Sequence, residues 1–211
     1  MSCFVILLGG SLVVTARLLH QIEGARVIAA DSGIKHAAPL GLRIETWLGD
    51  FDSSDASQDL LYADVPRIVF PVEKAMTDGE LAVEEAINRG ATTLVLVGAL
   101  GGERSDHAML HVMLMLAIAD RGVSVFLTSG TEEVWPISAN GGALDLPVGA
   151  MVSIIGLSDL QGLSIRGVKW PLLNHDLPLG SSLTLSNEVT GAFEATVKQG
   201  RAAIFAHFSS N

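Results

Sequence analysis

Short, mostly apolar runs, each bounded by turn residues, recur at positions 3–8, 26–30, 46–48, 67–70, 93–97 and 123–127. Runs this short and without polar alternation predict strands buried on both faces. Between several of them the spacing changes to that of a helix. Over 77–89, Leu81, Ala82, Ala86 and their neighbours form an apolar stripe beside Glu84, Glu85 and Arg89. Thr77 with Glu80 makes a capping box at its start, and Gly90 can end it. A second helix is predicted from 105 or 106 to 121, stopping at Gly122. Strands that alternate with helices imply a mainly parallel sheet covered on both faces.

After Ser129 helical spacing disappears. Glycine and proline punctuate short segments at 150–155, 163–166, 182–188, 193–198 and 201–208, with alternation in Leu183 and Leu185 and again in Phe193, Ala195 and Val197. This texture predicts an antiparallel sandwich or barrel beginning near 128–131. The boundary drawn is 1–129 and 130–211. So small a β domain is expected to pack on the first domain or on a second subunit.

Composition narrows the function classes. Hydrophobic residues at 49% and charged residues at 17% exclude a disordered chain. A net charge of −10, from 13 basic and 23 acidic residues, argues against nucleic acid as partner and leaves any anionic ligand dependent on a local cation. The lone Cys3 cannot form an intrachain disulfide and suggests a reducing compartment. The apolar start is cut by Gly9, Gly10 and Ser11 and lacks a basic leader, so it reads as a strand and turn rather than a signal peptide. No apolar run has the length to span a bilayer, and the expected location is the cytoplasm.

In open parallel sheets ligands bind beyond the carboxyl ends of the strands. Here those ends read Gly9-Gly10-Ser11, Asp31-Ser32-Gly33, Gly49-Asp50-Phe51-Asp52-Ser53, Glu73 through Asp78, and Gly98 through His107. Asp50 and Asp52 would share a side if the backbone stays extended through Phe51, and two adjacent carboxylates suit magnesium. A solvated acidic turn is the alternative. Gly101 and Gly102 let the backbone approach a ligand, and Arg104 offers a fork for phosphate oxygens. Asp106 is either a helix cap or a metal or substrate contact. His107 and His111 stand four apart, but without a third soft ligand they suit capping, packing or substrate hydrogen bonding better than zinc. Asp78 falls in the first turn of its helix, where the helix dipole favours it. Alternatively it joins Asp50 and Asp52 around magnesium while Lys74 neutralises phosphate. No Gly-x-Ser-x-Gly element and no Walker loop occur.

Taken in order, Ala30-Asp31-Ser32-Gly33, Gly49-Asp50-Phe51-Asp52-Ser53, Thr77-Asp78, Gly98 to Gly102 with Arg104, Asp106 and His107, Lys169-Trp170 and Ser186-Asn187 resemble the thiamine pyrophosphokinase family. The resemblance implies a Rossmann-like, mainly parallel α/β/α domain followed by a small antiparallel β-sandwich, assembled as a homodimer with active sites between subunits. It implies transfer of a pyrophosphoryl group from ATP to the hydroxyl of thiamine. Carried over by position, Asp50, Asp52 and Asp78 are the catalytic and magnesium carboxylates. Asp31, Lys74, Thr77, Gly101, Gly102, Arg104 and Asp106 serve ATP and its phosphates; Trp170, Ser186, Asn187 and His107 serve thiamine. An aromatic face such as that of Trp170 attracts a cationic thiazolium. There are two departures from the family pattern: Ala75 and Met76 stand where an acidic residue is common, and Glu103 separates the glycine pair from Arg104. Other readings of the same rim are pyrophosphoryl transfer to another hydroxymethyl acceptor such as a pterin, and a non-catalytic thiamine or nucleotide sensor.

Overall fold

A computed structural model of the chain describes residues 2–51, 56–137 and 142–208. It divides into two compact units, Met1–Gly130 and Thr131–Asn211. The first unit is built on β1 (Cys3–Leu7), β2 (Arg26–Ala30), β3 (Thr46–Gly49), β4 (Arg67–Val69), β5 (Thr93–Val97) and β6 (Ser124–Thr128). All pair in parallel, in the order β6-β5-β1-β2-β3-β4. Every strand foreseen in this half is present. Five of them bury their last four residues, as expected where both faces are covered. Helices α1 (Ala16–Gln21), α2 (Ala56–Leu61), α3 (Asp78–Asn88) and α4 (Ser105–Asp120) alternate with the strands. The capping box of α3 forms as its sequence requires, with the Thr77 hydroxyl accepting from Glu80 N–H and the Glu80 carboxylate accepting from Thr77 N–H.

One feature of this order positions the site. β1 pairs with β2 on one side and with β5 on the other, so successive strands are added outward in opposite directions. From that switch point the chain runs on toward β2 after β1 and toward β6 after β5, and a crevice lies beyond the strand ends there.

The second unit contains β7 (Glu132–Pro136), β8 (Gly142–Leu144), β9 (Met151–Gly156), β10 (Leu160–Val168), β11 (Leu172–Leu177), β12 (Asn187–Thr196) and β13 (Ala202–His207), all paired antiparallel. β12 changes partners along its length. Asn187 and Glu188 pair with β9, whereas Phe193 to Ala195 lie between β8 and β10. The apolar cluster around Leu163, Ile165, Phe193, Val152 and Ile204 is therefore fed by both groups of strands.

The strand expected at 182–188 is a turn until Asn187. Leu183 and Leu185, whose alternation suggested it, are both exposed, and the residue between them is the buried one: the Thr184 hydroxyl donates to the Ile154 carbonyl at 2.6 Å. Three strands, β7, β8 and β11, were not foreseen. β11 exposes Leu173 through Asp176 in succession, so it has no period-two pattern to read.

Candidate active site

The crevice at the switch point is a cleft of ≈ 920 Å³. Its walls come from the loop after β1 (Leu8–Leu12), the end of β2 and the 3-10 helix that follows it (Asp31–His36), the start of α3, the loop after β5, and the first turns of α4. The β1 and β5 loops touch backbone to backbone. Gly10 N–H donates to the Gly98 carbonyl at 2.9 Å, and a Cβ on Gly10 would stand 2.5 Å from that oxygen and 2.8 Å from the Leu100 oxygen. Only glycine fits there. Gly101 and Gly102 both adopt left-handed backbone, φ 68° and 88°, as a loop folding over a ligand requires.

Asp31 opens the 3-10 helix in left-handed geometry, φ 43°, unusual for a residue with a side chain. Its carbonyl is held at 2.9 Å by the indole N–H of Trp47, a ring that is itself 1% exposed. The buried core of β3 therefore fixes the backbone of a cleft residue.

Phe51 is also left-handed, φ 58°, so the extended backbone on which the alternation of Asp50 and Asp52 depends is not present at that residue. The cause is visible in the packing: the Phe51 ring turns in against Trp47, edge to face at 4.9 Å, with the Arg67 guanidinium over both rings. Asp52 lies outside the described residues. Asp50 is instead joined to Asp78 through Lys74, whose ammonium stands 3.1 Å from a carboxylate oxygen of each. Burial, the largest single influence, pulls the Lys74 pKa down, but the hydrogen bond from Lys74 to Asp50 and the charges of Asp50 and Asp78 outweigh it and hold it above the ordinary value.

Among the described residues no group of three or more Asp, Glu, His or Cys gathers as a metal cage. The chemistry of the pair nevertheless fits a hard cation. Asp50 and Asp78 already converge on one positive charge. The contact of Asp78 Oδ1 with Lys74 has ion-pair distance without hydrogen-bond direction, so this buried oxygen keeps an unused lone pair.

On the opposite rim, Arg104 and Asp106 form a two-pronged pair at 2.9 and 2.7 Å, both about two-thirds exposed. The Arg104 guanidinium holds the Asp106 carboxyl well below the usual carboxylate range. Asp106 thus answers Arg104, and α4 begins without a side-chain cap. The Thr77 hydroxyl is spent on its capping box with Glu80 rather than left for phosphate. His107 lines the cleft and is exposed, on the first unit.

The other residues assigned to thiamine lie in the second unit. Trp170 is 57% exposed, with the Lys169 ammonium 4.9 Å from its ring centre. Asn187 is buried, and its side chain clasps the main chain of Trp170: its oxygen accepts from Trp170 N–H at 3.1 Å, and its nitrogen donates to the Trp170 carbonyl at 2.9 Å. The same oxygen accepts from Glu188 N–H at 3.0 Å. Ser186 is left-handed, φ 56°, and its N–H donates to the Ser153 hydroxyl. The structure thus brings Trp170 and Asn187 together, with Asn187 as the support of the ring.

The family model for the catalytic domain of thiamin pyrophosphokinase matches residues 20–127, and the model for its vitamin B1 binding domain matches residues 143–202. The chain belongs to the thiamin pyrophosphokinase family. A curated relative, the thiamine pyrophosphokinase of Bacillus subtilis (strain 168), is 27% identical over 168 residues, which is 77% of either chain. Among solved structures, thiamin pyrophosphokinase from Geobacillus thermodenitrificans is 26% identical with a TM-score of 0.82, covering 100% of this chain and 99% of that one. The structure of the Bacillus subtilis protein has a TM-score of 0.85 at 20% identity, covering 99% of this chain and 100% of that one. The Candida albicans enzyme has 0.79 at 12%, covering 99% and 89%. At the two lower identities the likeness is one of fold.

Two polar cleft residues of this family member escaped the sequence reading, Lys35 and His36, and His111, read there as suited to capping, packing or substrate hydrogen bonding, also lines the cleft. Lys35 and His36 belong to the 3-10 helix and bind successive carbonyls of the β1 turn, the Lys35 ammonium donating to Gly9 and His36 Nε2 lying 3.0 Å from the Gly10 oxygen. His111 Nδ1 lies 2.8 Å from the Ala99 carbonyl. Burial pushes both histidines below their ordinary pKa. The neutral ring then donates from the nitrogen that meets the carbonyl. The only available signal was position: Lys35 and His36 lie one helical turn after a strand-end Asp-Ser-Gly.

Proposed function

We propose that this chain is a thiamine diphosphokinase, which transfers the pyrophosphoryl group of ATP to the hydroxyl of thiamine and releases AMP. One observation carries the reading: the catalytic-domain model falls on the unit that holds the cleft, and the vitamin B1 model on the unit that presents Trp170. In finer detail we read the first unit as Rossmann-like, the second as a sandwich around the core shared through β12, and their boundary as that between a nucleotide domain and a thiamine domain. The chain acts in the cytoplasm in this reading; among the described residues no helix is long and apolar enough to cross a membrane.

ATP occupies the switch-point cleft, its phosphates against Gly101, Gly102 and Arg104. The Arg104 fork is exposed and its bond to Asp106 is a surface pair, so exchanging Asp106 for phosphate costs little. Magnesium, which Asp50 and Asp78 would hold together with Asp52, supplies neutralisation of the polyphosphate charge when bound. The thiamine oxygen attacks the β-phosphorus, the bond from that phosphorus to the oxygen bridging to the α-phosphate breaks, and AMP departs. The hydroxyl proton passes to Asp50 or Asp78, and Lys74 between them holds the two carboxylates in place. Trp170 stacks on the thiamine ring, with Ser186 and His107 at its polar edges and Asn187 holding the platform.

A homodimer with shared sites accords with the exposure of Leu173, Leu179 and Leu183, at 76%, 62% and 58%, in the unit that carries Trp170. The test is AMP formation from ATP, thiamine and magnesium. Asp78→Asn and Asp52→Asn are each expected to lower it at least about 100-fold. No AMP from the parent chain would overturn the function. Parent-like turnover in both variants would overturn the carboxylate assignment alone.

A further inference from the structure

The cleft must accept a polyphosphate, yet its surroundings are rich in carboxylates: Asp31, Asp78 and Glu103 line it, and Asp50 lies behind. The positive charges at hand are mostly committed. Lys74 is shared between Asp50 and Asp78, and Arg104 is paired with Asp106. Lys35 differs from both. It lines the cleft, it is exposed, and its ammonium meets the Gly9 carbonyl, with no carboxylate at ion-pair distance among the described residues.

We propose that Lys35 is a phosphate-binding residue of this cleft, which leaves the Gly9 carbonyl to bond a phosphate oxygen of the bound nucleotide. The proposal rests on the reading of the cleft as an ATP site and adds a residue to it. A neutral carbonyl is a weaker partner for an ammonium than a phosphate oxygen, so the exchange is favourable. The base of the side chain is well placed for the transfer. Its neighbour His36 is buried and bonded to the Gly10 carbonyl, which fixes the 3-10 helix against the β1 turn whatever the ammonium does. The Lys35 stem therefore starts from a rigid point at the mouth of the switch-point crevice, within reach of the same turn that faces Gly101 and Gly102.

The experiment is calorimetric titration of the full chain with a non-transferable ATP analogue and, separately, with adenosine. Lys35→Met, Lys35→Arg and the exposed-charge control Arg43→Met are compared with the parent, magnesium being present throughout. Lys35→Met is expected to bind the analogue about five- to tenfold more weakly, the range of a charge-assisted bond discounted for exposure. Adenosine binding should be unchanged, which also shows that the cleft is folded. Lys35→Arg should recover most of the loss, and Arg43→Met should match the parent. Equal analogue affinity in Lys35→Met and the parent would overturn the role of Lys35 while leaving the ATP site standing. Equal losses in Lys35→Met and Arg43→Met would overturn it as well, since net charge would then explain the effect. A parent that binds neither ligand would overturn the ATP site and the role of Lys35 with it.

Discussion

Replacing Lys74 by methionine removes the cation between Asp50 and Asp78 while nearly keeping its volume. At 3.1 Å, with the screening typical of sites near a surface, each ion pair is an attraction of about 5 kcal/mol before desolvation is subtracted. Desolvation offsets most of it. Breaking a fully buried pair costs about 3–5 kcal/mol and an exposed one about 1 kcal/mol or less. The three side chains are 13%, 15% and 21% exposed, so a net loss of about 2 kcal/mol is expected at neutral pH. For a chain of this size that lowers the calorimetric transition by about 4–8 °C.

The pH dependence has a definite sign. The folded state holds the Lys74 pKa above the unfolded value of about 10.4, so its contribution is complete below that pH and fades as pH climbs through the higher folded value. The difference between parent and variant should therefore be flat near neutrality and shrink only in strong alkali. Magnesium at millimolar concentration should raise the transition of Lys74→Met more than that of the parent, because the ammonium no longer competes for the two carboxylates. A variant as stable as the parent without magnesium, or an equal magnesium response in both, would refute the account of Lys74 as the cation that joins the pair.

Gly10→Ala should destabilise the first unit by about 2 kcal/mol or more, because its Cβ would press on the Gly98 and Leu100 carbonyls, both backbone; chemical denaturation measures it, and a change under about 0.5 kcal/mol would contradict the packing. Asn187→Ala removes three hydrogen bonds around Trp170 and should raise the KM for thiamine more than it lowers kcat, with a shift in tryptophan emission; an unchanged KM would separate Trp170 from thiamine. His36 and His111 are held below the ordinary histidine value, about 6.5, so the unfolded chain takes up protons first as pH falls below it and stability declines from there downward. His111→Gln should flatten that slope in denaturation midpoints taken between neutral pH and mild acid, and an unaltered slope would assign it elsewhere.

The strands of the first unit were legible because strands buried on both faces leave short, mostly apolar runs, and α3 because Thr77 and Glu80 announce its cap. The second unit was read less well. Leu183 and Leu185 mimic a strand, but the turn they occupy is held by the Thr184 hydroxyl, a long-range bond that local alternation does not encode. At the site, the cluster of polar strand ends was foreseen, and so was the neighbourhood of Lys74, Asp50 and Asp78. What escaped was tertiary in origin: the turn-in of Phe51 on Trp47, the bonding of Lys35 and His36 to the β1 turn, and the use of Asn187 as a support for Trp170.

That last arrangement separates two properties that are usually entangled in a binding surface. Asn187 grips only main-chain atoms of residue 170, so the mount is indifferent to what is attached to it. A phenylalanine, a leucine or a carboxylate placed at 170 would be presented from the same backbone position as the indole. In the proposed role of Trp170, ligand preference at this face can thus drift or be redesigned by changing one side chain, with the backbone of the mount left to the residue that holds it.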